Sequence, residues 1–344
     1  MTFLDLPVPV LWTMGAVYVV LIVSSATLAV LRRTRPQANL REVRQRVESW
    51  WVMASVFLLA VALHRGASIV FLALVSYLAL KEYLSLVPTR RADRRVLLMA
   101  YLAVPLQYWW IADDWYGLAI VFVPVYAFLA LPAAMVLVGE TRRFLWAAAS
   151  LHWGLMTTVF SLSHAALLLT LPESGNPRSG GAGLLLFLVV LTQGNDVAQY
   201  LWGKSIGRIR AAPRVSPGKT LGGFLGGVGT TTLLSFLLAP ELTPLEGHER
   251  WVAGTIVAVS GFPGDLSVSA IKRHLGVKDA GATIPGHGGG LGVPRQLPRH
   301  PPAMRVEPVR RGAVERGRVR RLPGLSAQLH GELQPLSVGL PLNG

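Results

Sequence analysis

The apolar runs of this chain are too long and too closely spaced to form the core of a soluble domain. A bilayer's hydrocarbon core is crossed by about 20 mainly apolar helical residues. Nine segments of that character are expected, at 8–31, 50–62, 67–80, 97–111, 118–138, 144–171, 183–200, 221–238 and 251–266. The second and third are short and flank His64-Arg65-Gly66, which suits a tight hairpin or a single re-entrant unit. Only 15% of the residues are charged and 52% are hydrophobic, whereas a soluble domain carries about a quarter charged. The fold class that follows is all-α, a polytopic integral membrane protein with about nine transmembrane helices.

The first segment carries Asp5 and no basic region ahead of it, so it reads as a retained helix, not a cleaved signal. There is no cysteine, which removes disulfides, thiolate nucleophiles and cysteine metal sites. The net charge is +15. Among membrane proteins such charge more often sets topology and meets anionic headgroups than it binds nucleic acid, so no nucleic-acid partner is expected.

The basic residues fall in every second connection: Arg32, Arg33, Arg35, Arg41, Arg44 and Arg46, then Arg90, Arg91, Arg94 and Arg95, then Arg142 and Arg143, then Lys204, Arg208, Arg210, Arg214 and Lys219. The connections between them are weakly charged or acidic, as at Asp113-Asp114. Nine crossings with an external N-terminus account for this alternation. The polar stretches at 201–220 and 267–289 then face the cytoplasm, where nucleotides are found.

Three regions follow: N-terminal helices at 1–180, a motif-bearing membrane region at 181–290, and a basic tail at 291–344. The tail holds nine arginines and eight prolines, and none of the chain's 10 tryptophans, 8 tyrosines and 11 phenylalanines. It contains no run long enough to span a bilayer and is expected to be disordered.

Two clusters carry chemistry. The first is Asp196, Tyr200 and Gly203 followed by Ser216-Pro217-Gly218-Lys219-Thr220-Leu221-Gly222-Gly223, with Gly226 and Gly227. Gly218-Lys219-Thr220 is not a P-loop, because Pro213 stands where that motif needs glycine and a membrane helix precedes it. Lys219 still offers a point charge, Ser216 and Thr220 offer hydroxyls, and the next helix an N-terminus suited to anions. The plainer reading has Ser216-Pro217 simply starting a helix whose glycines allow close packing. For the glycines alone that reading is favoured; for Lys219 with Ser216 and Thr220, phosphate binding is. Asp196 lies inside an apolar run, where a carboxylate is costly unless it faces a polar cavity or a paired cation.

The second cluster is Gly264-Asp265-Leu266, Ser269-Ala270-Ile271-Lys272-Arg273, Lys278-Asp279 and Pro285-Gly286-His287-Gly288-Gly289. Asp265 and Asp279 are hard oxygen ligands suited to Mg²⁺, which binds through one or two carboxylates plus substrate phosphates. Lys272, Arg273 and Lys278 could neutralise phosphate charge. His287, with Gly288 and Gly289 in a glycine-rich turn, could meet a phosphate or a nucleotide. Taken alone, Lys272 and Arg273 could be a solvated cationic loop; the neighbouring aspartates and glycines argue against it.

Together these residues resemble the signature of phosphatidate cytidylyltransferases (CDP-diacylglycerol synthases). The match is close over roughly 195–290 and extends to Lys81-Glu82. The resemblance implies that CTP and phosphatidic acid give CDP-diacylglycerol and pyrophosphate, with Mg²⁺ as cofactor. It also implies catalytic roles for Asp265, Lys272, Asp279 and His287, with Asp265 and Asp279 on the metal. Asp196, Ser216, Lys219, Thr220, Arg273, Lys278, Gly288 and Gly289 would bind substrate. The expected location is a bacterial inner membrane, and a homodimer is one assembly the resemblance allows.

The chain departs from the family after Gly289. Members continue with Asp-Arg-x-Asp and a last membrane helix, whereas this chain reads Gly290-Leu291-Gly292-Val293-Pro294-Arg295-Gln296; Val268 also replaces a frequent glutamate. The abrupt change of composition is what a GC-rich gene gives when read out of frame. Resequencing codons 286–300 tests this, and a confirmed frame with no aspartate-bearing alternative sinks it. The rivals are a transporter, suggested by Asp196 and the glycine-rich helices, a CTP-dependent transferase acting on another lipid, and an inactive relative.

Overall fold

The computed structural model describes residues 6–34, 40–88 and 90–274. The expectations placed on 275–344, including disorder of the tail, lie outside the described residues. Nine long helices occur among those described: α1 (Val8–Thr34), α2 (Arg41–Leu63), α3 (Arg65–Leu86), α4 (Arg94–Ala112), α5 (Tyr116–Val138), α6 (Phe144–Thr170), α7 (Gly180–Ile206), α8 (Leu221–Leu242) and α9 (Glu249–His274). A short two-stranded hairpin lies between α7 and α8. The protein is an all-α polytopic integral membrane protein.

Eight of these helices are long and apolar enough to cross a membrane. The exception is α4, which opens with Arg94 and Arg95 and carries Gln107. Its 19 residues still reach about 28 Å at 1.5 Å per residue, close to the hydrocarbon thickness. It can carry polar groups because they lie on its buried face, while Leu98, Leu102, Leu106 and Trp109 form an exposed apolar one. Gln107 is fully buried, and its Nε2 donates to the Ala119 carbonyl at 2.7 Å and to Ser163 Oγ at 3.0 Å. Tyr108 shares a 2.7 Å hydrogen bond with Ser76 of α3.

Of the two readings of the segment around His64, the tight hairpin is the one observed, and its helices α2 and α3 are full length, 23 and 22 residues. The chain turns at one residue. His64 is extended (φ −175°, ψ 165°), ends α2 and caps α3, its ring accepting from the Ala67 N–H at 3.1 Å. One aromatic cap therefore closes the hairpin.

Contacts between connections separate the two ends of the bundle. At one end Arg90 chelates Asp93 (2.6 and 2.8 Å) and also donates to the carbonyls of Glu140 and Arg142, tying the α3–α4 and α5–α6 connections together. The Asp93 hydrogen bond holds the Arg90 guanidinium above its ordinary pKa. At the same end Arg273 of α9 donates to the Val215 carbonyl in the α7–α8 connection. At the other end Arg65 pairs with Asp114, and Arg178 reaches Glu241 and the Pro240 carbonyl. All the basic connections therefore share one end, and α4 runs from that end to the other.

The core has two parts. The larger fills the space among α1 to α7, around Leu80, Val104, Ile111, Leu155 and Leu185. The smaller joins α7 to α8 through Phe187, Leu191, Ala239 and Leu242. Carbonyls at the α8 C-terminus are satisfied by Asn176 Nδ2, on Leu242, and Ser179 Oγ, on Glu241.

Candidate active site

After α7 the chain doubles back through β1 (Arg210–Ala212) and β2 (Ser216–Thr220), with Arg210 opposite Thr220 and Ala212 opposite Ser216. The Ser216-Pro217-Gly218-Lys219-Thr220 run is thus a strand and not a loop wrapped around phosphate, which agrees with excluding a P-loop. Nor does Ser216-Pro217 start a helix. The α8 helix begins at Leu221, capped by Thr220, whose Oγ1 accepts from the Gly223 N–H at 3.1 Å.

Glycines let this corner close. A Cβ on Gly223 would come within 2.7 Å of the Gln199 carbonyl, and one on Gly222 within 3.1 Å of the Ile206 carbonyl. A Cβ on Gly226 would overlap the Trp202 side chain, and one on Gly227 the Gln199 side chain. The small residues of α8 therefore face α7 at backbone distance, the usual means of close helix contact in a bilayer. Thr220 packs opposite Gly203 and Gly207, so the end of β2 lies against the last turns of α7.

This closeness brings Lys219, half-buried, against α7 and α9. Its ammonium pairs with Asp265 of α9 and donates to Gln199 Oε1 of α7 at 3.4 Å. Asp196, one helical turn before Gln199 on α7, interacts electrostatically with both Asp265 and Lys219. Below them Asn195 ties three helices together, its Oδ1 accepting from Thr231 and its Nδ2 donating to the Ala258 carbonyl. Pro263 removes one backbone hydrogen bond from α9 just before Asp265. Two carboxylates, one ammonium and one carboxamide thus converge from three elements of the fold, α7, β2 and α9.

Glu82 was not placed in the site from the sequence, although Lys81-Glu82 belongs to the pattern that carries the resemblance. It lies near the end of α3 and interacts electrostatically with Lys272 of α9. The approach is fixed by Ile271, which packs against the larger core. Glu82 Oε1 is buried without a hydrogen-bond partner among the described residues. Arg273 turns instead to the Val215 carbonyl at 3.4 Å, bracing the hairpin. Tyr200 faces outward from the pair, its ring beneath Arg46 at 5.5 Å and Lys204 at 5.0 Å. Ser216 opens β2, three positions from Lys219. Lys278, Asp279, His287, Gly288 and Gly289 lie outside the described residues.

Among the described residues no three carboxylate or imidazole groups converge as a metal cage. Asp196 and Asp265 supply two carboxylates on facing helices, which fits a hard divalent ion that takes its other ligands from phosphate oxygens and water. A cavity of about 20 Å³ between Val87, Leu97, Met135 and Trp146 lies elsewhere and holds no more than a water-sized group. The candidate site is the polar surface around Lys219 and Asp265, which are 27% and 43% exposed.

Residues 44–292 match the family model described as the cytidylyltransferase family. Over 277 residues the chain is 42% identical to the uncharacterized protein YnbB of Escherichia coli strain K12, covering 80% of this chain and 91% of that one. It is 28% identical over 258 residues to a phosphatidate cytidylyltransferase of Bacillus subtilis strain 168, covering 72% and 91%. A phosphatidate cytidylyltransferase of Brucella suis biovar 1 is 33% identical over 133 residues, covering 39% of this chain and 48% of that one.

Proposed function

Because the chain belongs to the cytidylyltransferase family, we propose that it transfers a cytidylyl group from CTP to phosphatidic acid, giving CDP-diacylglycerol and pyrophosphate. The observation that supports this is the convergence of Lys219, Asp265 and Asp196 at a glycine-packed corner beside the hairpin. A cation and two carboxylates at one place suit a reaction in which phosphates are drawn together and their charge is balanced.

The lipid phosphate oxygen attacks the α-phosphorus of CTP. A new phosphorus–oxygen bond forms, the bond from that phosphorus to the oxygen bridging to the β-phosphorus breaks, and pyrophosphate leaves with the electron pair. Both reactants are anionic, so the protein's work is positioning and charge stabilisation. Lys219 would hold a phosphate oxygen, aided by Thr220 and the free N–H groups at the start of α8. Lys272 would balance charge from the other side, oriented by Glu82. Asp265, with Asp196 and with Asp279 beyond the described residues, would hold Mg²⁺, which when bound supplies a Lewis acid and a template for the phosphates. The basic end of the bundle would face the cytoplasm and its CTP, in a bacterial inner membrane.

Two rivals are weighed by the structure. A transporter would be expected to break its helices at the binding site, yet α7 and α8 run unbroken past Asp196 and the glycines. A transferase acting on a different lipid would place the same groups on CTP, so the lipid acceptor must be tested directly. The experiment is conversion of labelled CTP and phosphatidic acid in membranes carrying the chain or its Asp265→Asn variant. Mg²⁺-dependent product that vanishes in the variant is expected. CTP binding without product from any lipid phosphate would overturn the assigned reaction, and absence of CTP binding would return the transporter.

A further inference from the structure

Gln199 is a neutral residue in a site otherwise built from charges, and its surroundings are specific. It is 6% exposed and lies on the α7 face that carries Asp196. Its Oε1 accepts from Lys219 Nζ at 3.4 Å. Its Nε2 is buried and has no hydrogen-bond partner among the described residues. The orientation follows from chemistry: an ammonium only donates, so the carbonyl end of the amide must turn to Lys219 and the N–H end is left over.

Packing alone does not require an amide here. The facing helix yields the space, since a Cβ at Gly227 would overlap the Gln199 side chain and one at Gly223 would crowd the Gln199 main-chain carbonyl. An aliphatic side chain of equal length could fill that space without stranding a donor, which is destabilising when buried. The unpaired donor is also carried on the same carboxamide that holds Lys219. An oxyanion reaching one would meet the other, and a group of opposite charge is what the ammonium attracts.

We infer that Gln199 is a second anchor of the phosphate site, orienting Lys219 through Oε1 and donating from Nε2 to a phosphate oxygen of the substrate. That the oxygen belongs to a reactant rests on the function proposed above; that the pocket takes a phosphate oxyanion does not. The nucleotide and the lipid share this chemistry, so each is probed separately.

The test uses the full chain in lipid nanodiscs, comparing wild type with Gln199→Glu and Gln199→Met. The glutamate keeps the acceptor for Lys219, removes the donor and adds repulsion; the methionine keeps the length and removes both. Binding of CTP, of inorganic pyrophosphate and of phosphatidic acid in the disc is measured with Mg²⁺, alongside thermal unfolding and turnover. Gln199→Glu should unfold no earlier than wild type, while both variants bind at least one phosphate probe about tenfold more weakly or worse. Weakening confined to CTP and pyrophosphate assigns the oxygen to the nucleotide, and weakening confined to phosphatidic acid assigns it to the lipid. A selective rise in KM, with kcat changed less, would mark a contact already made in the bound ground state.

Wild-type affinity for every probe in both variants overturns the inference, as does a wild type that binds none of them. Unfolding of Gln199→Glu also overturns it, because the amide donor would then be serving the fold. A wild type that binds phosphate through Gln199 yet converts no CTP leaves the inference standing and removes the proposed reaction instead.

Discussion

Lys219 pairs with Asp265 across forty-six positions of sequence, the first at the end of a β-hairpin and the second inside a membrane helix. Neither element alone could bring the two charges together. The hairpin reaches in because α8 begins a turn below the end of α7, and it does so because glycines at that crossing remove the side chains that would hold the helices apart. Each half of this partly exposed pair is oriented by the other, so losing one leaves its partner misplaced.

Removing either half should therefore disable the site. Lys219→Met and Asp265→Asn are each expected to lower kcat/KM for conversion of CTP and phosphatidic acid by roughly 100-fold or more. The double variant should be little worse than the poorer single one, because residues that act as a unit are not additive. Chelation with EDTA should stop the wild-type reaction and added Mg²⁺ should restore it. Additive losses, or turnover that persists in EDTA, would contradict this arrangement.

Glu82 brings the N-terminal helices into the chemistry. Facing Lys272 from α3, with one carboxylate oxygen unpartnered among the described residues, it is placed to fix where that ammonium points. Glu82→Gln should lower kcat/KM by roughly tenfold, equivalent to about 1.4 kcal/mol, and Glu82→Asp by less. In a Lys272→Met background the Glu82→Gln change should have almost no further effect. Equal losses in both backgrounds would separate the two residues.

The glycines of α8 divide cleanly by position. Gly223 and Gly227 face α7 with no room for a Cβ, whereas Gly229 has nothing within 4 Å. Alanine at 223 or 227 should destabilise the protein by about 1–3 kcal/mol, the usual penalty for overpacking. Gly229→Ala should be neutral or slightly stabilising, since alanine is the better helix former. Thermal unfolding in detergent reads all three. Equal behaviour of the three variants would mean that α7 and α8 do not meet as described.

The membrane class and the approximate positions of the helices were legible because long apolar runs are a strong one-dimensional signal. Other features were hidden because they are relations between distant residues. The His64 hairpin looked like two short segments because Arg65 and Gly66 interrupt the hydropathy, yet both are helical. The apolar run from Leu221 marked the start of α8, but nothing local announced that Ser216–Thr220 is a strand, because it becomes one only by pairing with Arg210 and Ala212. Gln199 gave no charge signal at all. It could have been found from its spacing, three residues beyond Asp196 and four before Gly203, on one face of a helix. Glu82 was visible as a motif residue, but nothing along the chain says that α9 ends beside it.

The course of α4 is the point on which the topology turns. Hydropathy excludes it from the clearly spanning helices, yet its two ends are tied to opposite ends of the bundle, through Arg90 on the Glu140 carbonyl at one end and Arg65 on Asp114 at the other. A helix so placed can carry Gln107 and Tyr108 because both are buried with hydrogen-bond partners on neighbouring helices. The chain has no native cysteine, so single cysteines can report accessibility without background. Cysteines introduced at Arg143 and Arg208 should react with an impermeant maleimide from one side of sealed vesicles. Cysteines at Asp113 and Glu173 should react only from the other. Labelling of Asp113→Cys from the same side as a cysteine at Pro88, in the connection before α4, would mean that α4 does not cross, and the ends of α5 through α9 would all exchange sides. The alternation of basic connections could then no longer be explained by a common face, and the site would lose its access to CTP from the side that holds it.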